Sequence, residues 1–264
     1  MDARNQEYHK NTLHLPRILC LHGGGSNARI FKTQCRVISQ RLEPYFRFAY
    51  AEAPFDSGPG PDVLSVYAEY GPFVRWFPDP EHNIDDRAAI KAINNSVKTA
   101  MDEDDRSGAT GPWVGLLGFS QGAKLAASLM FRQQVRAEKL GRAQAGSDWK
   151  FAVVMAGRAP IVNLDPDVFR SSMLSNTSQI DLSGPPDVDD LMGEEHVLKL
   201  PTIHVHGLAD PGLYFHRELL DDYCSIDSVR VLEWDGAHRV PVKSANVNPL
   251  IDQILRLAKE IGAL

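Results

Sequence analysis

Residues 113–130 have the sequence WVGLLGFSQGAKLAASLM, and this stretch decides the fold. Its first five residues are apolar and suit a buried strand, whereas the residues after Gly122 favour a helix. Between the two lies Gly118-Phe119-Ser120-Gln121-Gly122, a G-x-S-x-G pattern. A strand that reverses sharply into a helix here would strain the serine backbone and expose its hydroxyl, and the flanking glycines would avoid clashes. The pentapeptide alone is a weak signal, but in this context it predicts a nucleophile elbow.

Strand-like and helix-like segments alternate on both sides of the elbow. Strands are predicted at 17–21, 46–50, 113–117, 151–155, 202–206 and 229–232, and helices at 27–42, 85–101, directly after Ser120, and at 244–261. This alternation predicts βαβ units, and therefore an α/β fold with a mostly parallel sheet of about six strands covered by helices on both faces. Two connections, 53–84 and 157–200, are long enough to be lid-like binding loops.

The composition is that of an ordinary globular domain. Of the 264 residues, 43% are apolar and 23% are charged, and no low-complexity linker divides the chain. We predict a flexible N-terminal tail over residues 1–15 and a single domain over residues 16–264. The net charge is -6 with both signs interspersed, so nucleic acid is not an expected partner.

The cysteines and the N-terminus bear on the compartment. Cys20, Cys35 and Cys224 are odd in number and widely spaced, which argues against a disulfide framework or a zinc ribbon. The N-terminus lacks the apolar core of a secretory signal, and no apolar run approaches the ~18 residues of a membrane span. We expect a cytoplasmic protein with no membrane attachment, although an organelle address read by a receptor stays open.

A serine nucleophile needs a base and an acid that orients the base. On a sheet of this kind they follow in the order Ser, acid, His, at the carboxyl ends of later strands. Asp210 follows the fifth predicted strand and His238 follows the sixth. We predict that His238 takes the Ser120 proton and that Asp210 holds the imidazole tautomer.

Other aspartates are rival candidates for the acid. Asp235 lies only three residues before His238 in the same loop, whereas this fold presents acid and base from separate strands. Weaker rivals lie in an acidic loop, namely Asp187, Asp189 and Asp190.

The first predicted strand ends in a glycine run, His22-Gly23-Gly24-Gly25-Ser26. It matches the HGGG-type element that supplies an oxyanion-hole donor. The predicted donors are the backbone N–H groups of Gly24 and Gln121, with Gly25 as an adjacent alternative. A phosphate cradle is the competing interpretation, but neither a G-x-G-x-x-G nor a P-loop pattern is present.

No metal or cofactor is predicted. His204 and His206 alternate on one strand, but no acidic or cysteine residue stands beside them at a recognisable ligand spacing. We interpret both as structural histidines, and His22 as a residue that packs behind the glycine run.

The first long loop is rich in aromatic residues. They either cover a sheet edge or form the wall of an acyl-accepting pocket. The substrate-binding candidates are Gly25, Phe55, Tyr70, Phe73, Trp76 and Phe77.

Four segments together resemble one known family: ILCLHGGGSN at 18–27, AEAPF at 51–55, GFSQG at 118–122 and VHGLADP at 205–211. They are similar to the serine hydrolases often abbreviated FSH, within the α/β-hydrolase superfamily, and the match runs from about Pro16 to the C-terminus. The resemblance implies an α/β-hydrolase fold, no cofactor, and a triad of Ser120, Asp210 and His238.

The match through Phe31 and the aromatic region 67–77 resembles the fungal secondary-metabolism branch of this family, with its esterases and polyketide-releasing thioesterases. The two long loops depart most from any shared pattern, so the substrate stays open.

The sequence thus predicts a metal-free serine hydrolase that cleaves an acyl ester or thioester through a Ser120 acyl-enzyme. The more specific hypothesis, from the resemblance, is release or processing of a polyketide, with a polyketide synthase as partner. A general short-chain carboxylesterase is the enzymatic alternative. A catalytically silent binding protein is the alternative from a different class, because a fold does not determine function.

Overall fold

A computed structural model describes residues 12–178 and 194–264. Within these residues the strands are β1 (Arg17–Leu21), β2 (Arg47–Ala51), β3 (Phe55–Ser57), β4 (Phe73–Arg75), β5 (Trp113–Phe119), β6 (Phe151–Met155), β7 (Thr202–Gly207) and β8 (Val229–Trp234). The helices are α1 (Ala28–Gln34), α2 (Arg36–Leu42), α3 (Pro61–Tyr67), α4 (Asp86–Arg106), α5 (Gln121–Leu140), α6 (Leu213–Tyr223) and α7 (Ser244–Glu260).

Six of these strands form one parallel sheet in the order β2-β1-β5-β6-β7-β8. They are the six strands predicted from the sequence, so the predicted fold class is confirmed. The order reverses direction at β1 and β5, the place where α/β sheets open a crevice at the carboxyl ends of their strands. The elbow that follows β5 and the glycine run that follows β1 therefore meet at this crevice.

Two apolar cores lie on opposite faces of the sheet, because successive side chains of a strand point to opposite sides. In β1, Leu19 and Leu21 belong to one core, which α4, α5 and α6 cover. Ile18 and Cys20 belong to the other, which α1, α2 and α7 cover. Every residue of β1 is buried, as expected for a central strand with helices on both sides.

The first long loop contains regular structure that the sequence did not reveal. β3 and β4 form an antiparallel pair within it, and α3 lies between them. The side chain of Asn27 ties this loop to the start of α1, since its Nδ2 donates to the carbonyls of Tyr70 and Pro72, both at 2.8 Å. The second long loop is described only over residues 157–178 and 194–200.

The helices differ from the prediction in two further places. The predicted helix 27–42 is divided into α1 and α2 at Cys35, whose ψ of 3° leaves the helical region. Helix α6 was not predicted at all. Its buried residues are His216, Leu219 and Tyr223, so a histidine and a tyrosine occupy positions where an apolar stripe would have marked a helix.

Residues 12–15 of the predicted N-terminal tail contact the domain. Thr12 is buried, and the N–H groups of Thr110 and Gly111 donate to the Leu13 carbonyl. Residues 1–11 lie outside the described residues, and the division into tail and domain stays a prediction. Among the described helices, none has the combination of length and apolar character that crossing a bilayer requires.

A buried cluster of charged side chains lies at the amino ends of β1 and β2. Asp104 of α4 accepts hydrogen bonds from Arg47 at 2.8 Å and from Arg17 at 3.3 Å. All three side chains are less than a tenth exposed. Removing one member of such a cluster leaves buried charge uncompensated, which costs far more than losing a surface pair.

We therefore expect Asp104→Ala to lower the free energy of unfolding by about 3–5 kcal/mol. Asp102→Ala is the matched control, because Asp102 pairs with the largely exposed Lys98 on the same helix and should change stability by less than ~1 kcal/mol. Urea unfolding followed by circular dichroism measures both. Equal effects of the two substitutions would contradict this account of the cluster.

Candidate active site

Ser120 lies at the turn from β5 into α5 with φ 53° and ψ -117°, a conformation that a non-glycine residue rarely adopts. Its N–H donates to the Met155 carbonyl at 2.9 Å, which ties the turn to β6. A Cβ at Gly118 would lie 2.3 Å from the Gly122 carbonyl oxygen, and a Cβ at Gly122 would lie 2.0 Å from that of Leu21. Neither position has room for a side chain.

Three side chains meet at this turn. His238 Nε2 lies 3.0 Å from Ser120 Oγ, and His238 Nδ1 lies 2.7 Å from Asp210 Oδ2. The second carboxylate oxygen, Oδ1, accepts a hydrogen bond from the Gly212 N–H at 2.8 Å. The Asp210 side chain is 1% exposed and that of His238 is 22% exposed, so the carboxylate is buried and the imidazole reaches solvent.

Electrostatics favour an ionised Asp210. Burial alone would raise the pKa of this carboxyl, but the hydrogen bonds from the Gly212 N–H and from His238 outweigh burial and place the pKa below its ordinary value. A carboxylate accepts hydrogen bonds and cannot donate one, so the hydrogen-bond network assigns the His238 proton to Nδ1. The Nε2 lone pair is then directed at the Ser120 hydroxyl.

The rival acids are placed differently. Asp235 is exposed, and it is Asp210 that lies within hydrogen-bond distance of His238. The weaker rivals Asp187, Asp189 and Asp190 lie outside the described residues.

Two backbone N–H groups beside Ser120 are available to an anion. Within the described residues, neither the Gly24 N–H nor the Gln121 N–H has a hydrogen-bond acceptor. Gln121 is the first residue of α5, where helix N–H groups have no partner inside the helix. Gly25, the alternative, already donates its N–H to the Val74 carbonyl at 3.1 Å and is therefore committed to holding the loop.

Hydrogen bonds of His22 and Trp76 hold the backbone of the glycine run. His22 is fully buried, its Nε2 accepts from the Ala53 N–H at 3.1 Å, and its Nδ1 lies 2.8 Å from the Gly23 carbonyl. Trp76 Nε1 donates to the His22 carbonyl at 2.8 Å. These contacts fix the path of the backbone that carries the Gly24 N–H.

The aromatic candidates of the first long loop divide into two groups. Trp76 and Phe77 have no exposed surface and belong to the same apolar core as Leu19 and Leu21. They therefore do not line an open pocket. Phe55 and Phe73 are half-buried on β3 and β4. Tyr70 is 38% exposed, and the Arg29 guanidinium lies 4.6 Å from its ring centre.

A cavity of about 760 Å³ lies elsewhere, between α4 and α5. Its lining includes Ile90, Arg132 and Trp149 but not Ser120, Asp210 or His238. This cavity is therefore separate from the hydrogen-bonded trio of Ser120, Asp210 and His238.

A row of four histidines ends beside Asp210, and three of them, His204, His206 and His216, are buried. The rings of His204, His206, His216 and His238 follow one another with centroid distances of 5.9, 5.8 and 6.1 Å. Sequence reasoning treated His204 and His206 as structural and did not single out His216. His216 lies six residues after Asp210 on a helix that was not predicted, and no sequence motif surrounds it.

The same trio of groups bears on metal binding. Asp210, His216 and His238 each place one possible ligand atom within 4.8 Å of the others, so within the described residues these are the ones that could hold a metal ion. Asp210 Oδ2 and His238 Nδ1 are already joined by a hydrogen bond, and Nδ1 would have to lose its proton before it could bind a metal.

Comparison with known proteins places the chain in context. Residues 12–250 match the family model described as Serine hydrolase (FSH1). The chain is 56% identical over 252 residues to the probable esterase tazC of Aspergillus terreus, covering 95% of both chains. It is 51% identical over 267 residues to the esterase citA of Monascus ruber, covering 100% of both. A solved arylesterase structure matches with a TM-score of 0.52 at 15% identity, over 95% of this chain and 77% of that one, which supports the fold alone.

The buried histidines make stability depend on pH. Burial, the largest cause, lowers the pKa of His204 to about 3 and that of His216 to about 4, and it also lowers the pKa of His206. In the unfolded chain these groups bind protons below about pH 6.5, whereas in the folded chain they stay neutral. Protonation thus favours the unfolded state. Stability is fully present above about pH 6.5 and is lost as the pH falls toward 4.

We expect the free energy of unfolding, measured in urea from pH 7.5 to pH 5, to fall by up to about 1.4 kcal/mol per pH unit for each of these histidines. His204→Gln removes one titrating group and should reduce the slope by that amount. His14→Gln, at an exposed position, is the matched control and should keep the full slope. A flat profile for the unmodified protein would contradict the prediction.

Proposed function

Because this chain belongs to the FSH1 family of serine hydrolases, we propose that it hydrolyses a carboxylic ester through an acyl-enzyme on Ser120. His238 is the general base and Asp210 the acid that orients it. The observation that carries the proposal is the unbroken hydrogen-bonded path from Asp210 Oδ2 through the His238 ring to Ser120 Oγ, at 2.7 and 3.0 Å.

The reaction follows from this arrangement. Ser120 Oγ attacks the acyl carbon while His238 Nε2 takes the hydroxyl proton, and Asp210 stabilises the imidazolium that forms. His238 then returns the proton to the departing alcohol, which leaves the acyl group on Ser120. Water activated by the same nitrogen attacks the acyl-enzyme, and the carboxylic acid departs.

The oxyanion of each tetrahedral intermediate is stabilised by two backbone donors. The Gly24 and Gln121 N–H groups have no acceptor within the described residues, so they can bind a developing negative charge without breaking an existing hydrogen bond. The N-terminal end of α5 adds a favourable dipole at the same place. Both effects act more strongly on the transition state than on the neutral ester.

The acyl group is proposed to be apolar. Helix α3 exposes 56% of Leu64 and 68% of Val66, which is unusual for large aliphatic side chains. This helix adjoins the glycine run, because the Gly60 N–H just before it donates to the Gly25 carbonyl at 2.9 Å. An apolar acyl chain leaving Ser120 on this side would find an apolar surface.

The finer proposal is that the acyl group is a polyketide, presented in the cytoplasm either as an ester or as a thioester on a synthase. It is supported by sequence identities of 56% and 51% to esterases of Aspergillus terreus and Monascus ruber. The resemblance through the aromatic region 67–77 supports it as well. The Ser120 mechanism serves either leaving group, since His238 can protonate an alkoxide or a thiolate. A short-chain carboxylesterase would use the same residues with a smaller acyl group.

We expect a fluorophosphonate to add once to the unmodified protein and not at all to Ser120→Ala, as measured by intact mass. The activated hydroxyl is the group that such a phosphonate captures, and a partly exposed elbow residue contributes little to stability. Thermal unfolding should therefore be similar for the two proteins. Prior treatment with EDTA should leave labelling and ester turnover unchanged. Labelling of Ser120→Ala, or loss of labelling on chelation, would contradict the proposal.

Asp210→Asn and Asp235→Asn separate the two acids of this region. The amide at position 210 would favour the wrong His238 tautomer, and the loss in kcat should approach about 10⁴-fold, as for the same change in chymotrypsin-like triads. Asp235→Asn alters an exposed side chain and should keep kcat within about twofold. Steady-state kinetics on p-nitrophenyl acetate measure both. The reverse order of effects would move the acid role to Asp235.

A further inference from the structure

His216 is a polar residue in an unexpected place. It lies on the inner face of α6 with 0% exposure, and within the described residues neither of its ring nitrogens has a hydrogen-bond partner. A neutral imidazole always carries one N–H, and burying that group unpaired costs about 1–3 kcal/mol. An aliphatic residue would fill this position without that cost, so the site gives the imidazole another role.

The polar groups that face His216 identify that role. Its Nε2 lies 3.7 Å from Asp210 Oδ2, the same oxygen that accepts from His238 Nδ1. The rings of His206 on β7 and His238 after β8 lie 5.8 and 6.1 Å away, and Arg158, from the loop after β6, adds positive potential. Of these groups, the Asp210 carboxylate is the anion, so it is the natural target for the His216 N–H.

The charge state of His216 fits a neutral donor. Burial lowers its pKa to about 4, although the Asp210 carboxylate alone would raise it. At neutral pH the ring therefore carries a single N–H and no net charge. Directing that N–H at the carboxylate favours the tautomer with the proton on Nε2.

We propose that His216 is a positioning residue for the acid of the catalytic trio, which makes this inference dependent on the function proposed for Ser120. Its Nε2–H faces Asp210 Oδ2 and holds the carboxylate in the orientation that accepts the hydrogen bond from His238 Nδ1–H. Asp210 is then fixed from both sides, by the Gly212 N–H on Oδ1 and by two imidazoles on Oδ2. Closing the gap by ~0.7 Å would turn the contact into a full hydrogen bond.

The role has a distinct electrostatic consequence. The positive end of the His216 N–H dipole points toward the Asp210 carboxylate and weakens the negative potential that this carboxylate presents to the His238 ring. Removing the dipole should therefore move the acid limb of the pH profile of kcat/KM upward. A residue that only fills space would not shift this limb.

The test compares His216→Leu, which keeps the approximate volume without a donor, with His216→Gln, whose amide NH₂ reaches about as far as Nε2. We measure kcat, KM and the pH profile of kcat/KM on p-nitrophenyl acetate, together with thermal unfolding. The His216→Leu substitution should lower kcat about tenfold with KM nearly unchanged. It should also move the acid limb of the kcat/KM profile upward by about 0.5 pH unit. Gln should recover most of both effects. An unshifted limb in Leu, or equal kinetics for Leu and Gln, would overturn the proposal.

His216→Asn keeps the test decisive if the Leu variant does not fold. Its amide is one bond shorter than that of Gln and falls short of Asp210, so Asn should show the shifted limb and Gln should not. Fluorophosphonate labelling of Ser120 in the same variants separates the two proposals. Suppose that Ser120 of the unmodified protein is labelled, and that every His216 variant keeps the rate and the pH dependence of the unmodified protein. That result would overturn the role of His216 alone. Turnover in Ser120→Ala would overturn the proposed function itself.

Discussion

The site depends on one steric constraint, the contact between the first turn of α5 and the end of β1. A Cβ at Gly122 would lie 2.0 Å from the Leu21 carbonyl oxygen, so the helix can begin here only with glycine at that position. This contact sets the strained Ser120 backbone against the strand that leads into the glycine run. Gly24 of that run lies close to Gln121, since a Cβ at Gly24 would lie 2.7 Å from Gln121 Cδ. The proposed nucleophile and the proposed oxyanion donors are thus positioned by the packing of the central sheet rather than by mobile side chains.

The proposed acid and the proposed base follow different strands, and backbone hydrogen bonds hold their loops together. The N–H groups of Leu208 and Ala209 donate to the carbonyls of Trp234 and Gly236, both at 2.9 Å. These bonds continue the pairing of β7 with β8 past the end of the sheet. Asp210 and His238 therefore meet at a distance that the register of two strands determines. Such an origin explains how a buried carboxylate can orient a partly exposed imidazole with a 2.7 Å hydrogen bond.

Sequence patterns revealed the parts of the structure that repeat a regular rule. The six sheet strands follow from apolar runs, and their order along the chain is enough to bring Ser120, Asp210 and His238 to one edge. The break at Cys35 carries no proline or glycine, so helical spacing continued through it. Trp76 and Phe77 illustrate another limit, since an aromatic residue in a long loop has the same sequence signal whether it lines a pocket or fills a core. The structure buries both, and the indole N–H of Trp76 is used to hold the His22 carbonyl.

The two ends of the sheet differ in how they treat buried polar groups. At the amino ends of β1 and β2, the charges of Arg17, Arg47 and Asp104 compensate one another. On β7 and on the helix α6 that follows it, ring nitrogens of His204, His206 and His216 are buried without hydrogen-bond partners in the described part of the chain. The unpaired groups destabilise the fold, yet His216 lies beside Asp210, and the burial of that carboxylate strengthens its interaction with His238. The structure thus concentrates its unfavourable polar burial at the edge where a strong electrostatic interaction is useful, and keeps the opposite edge compensated.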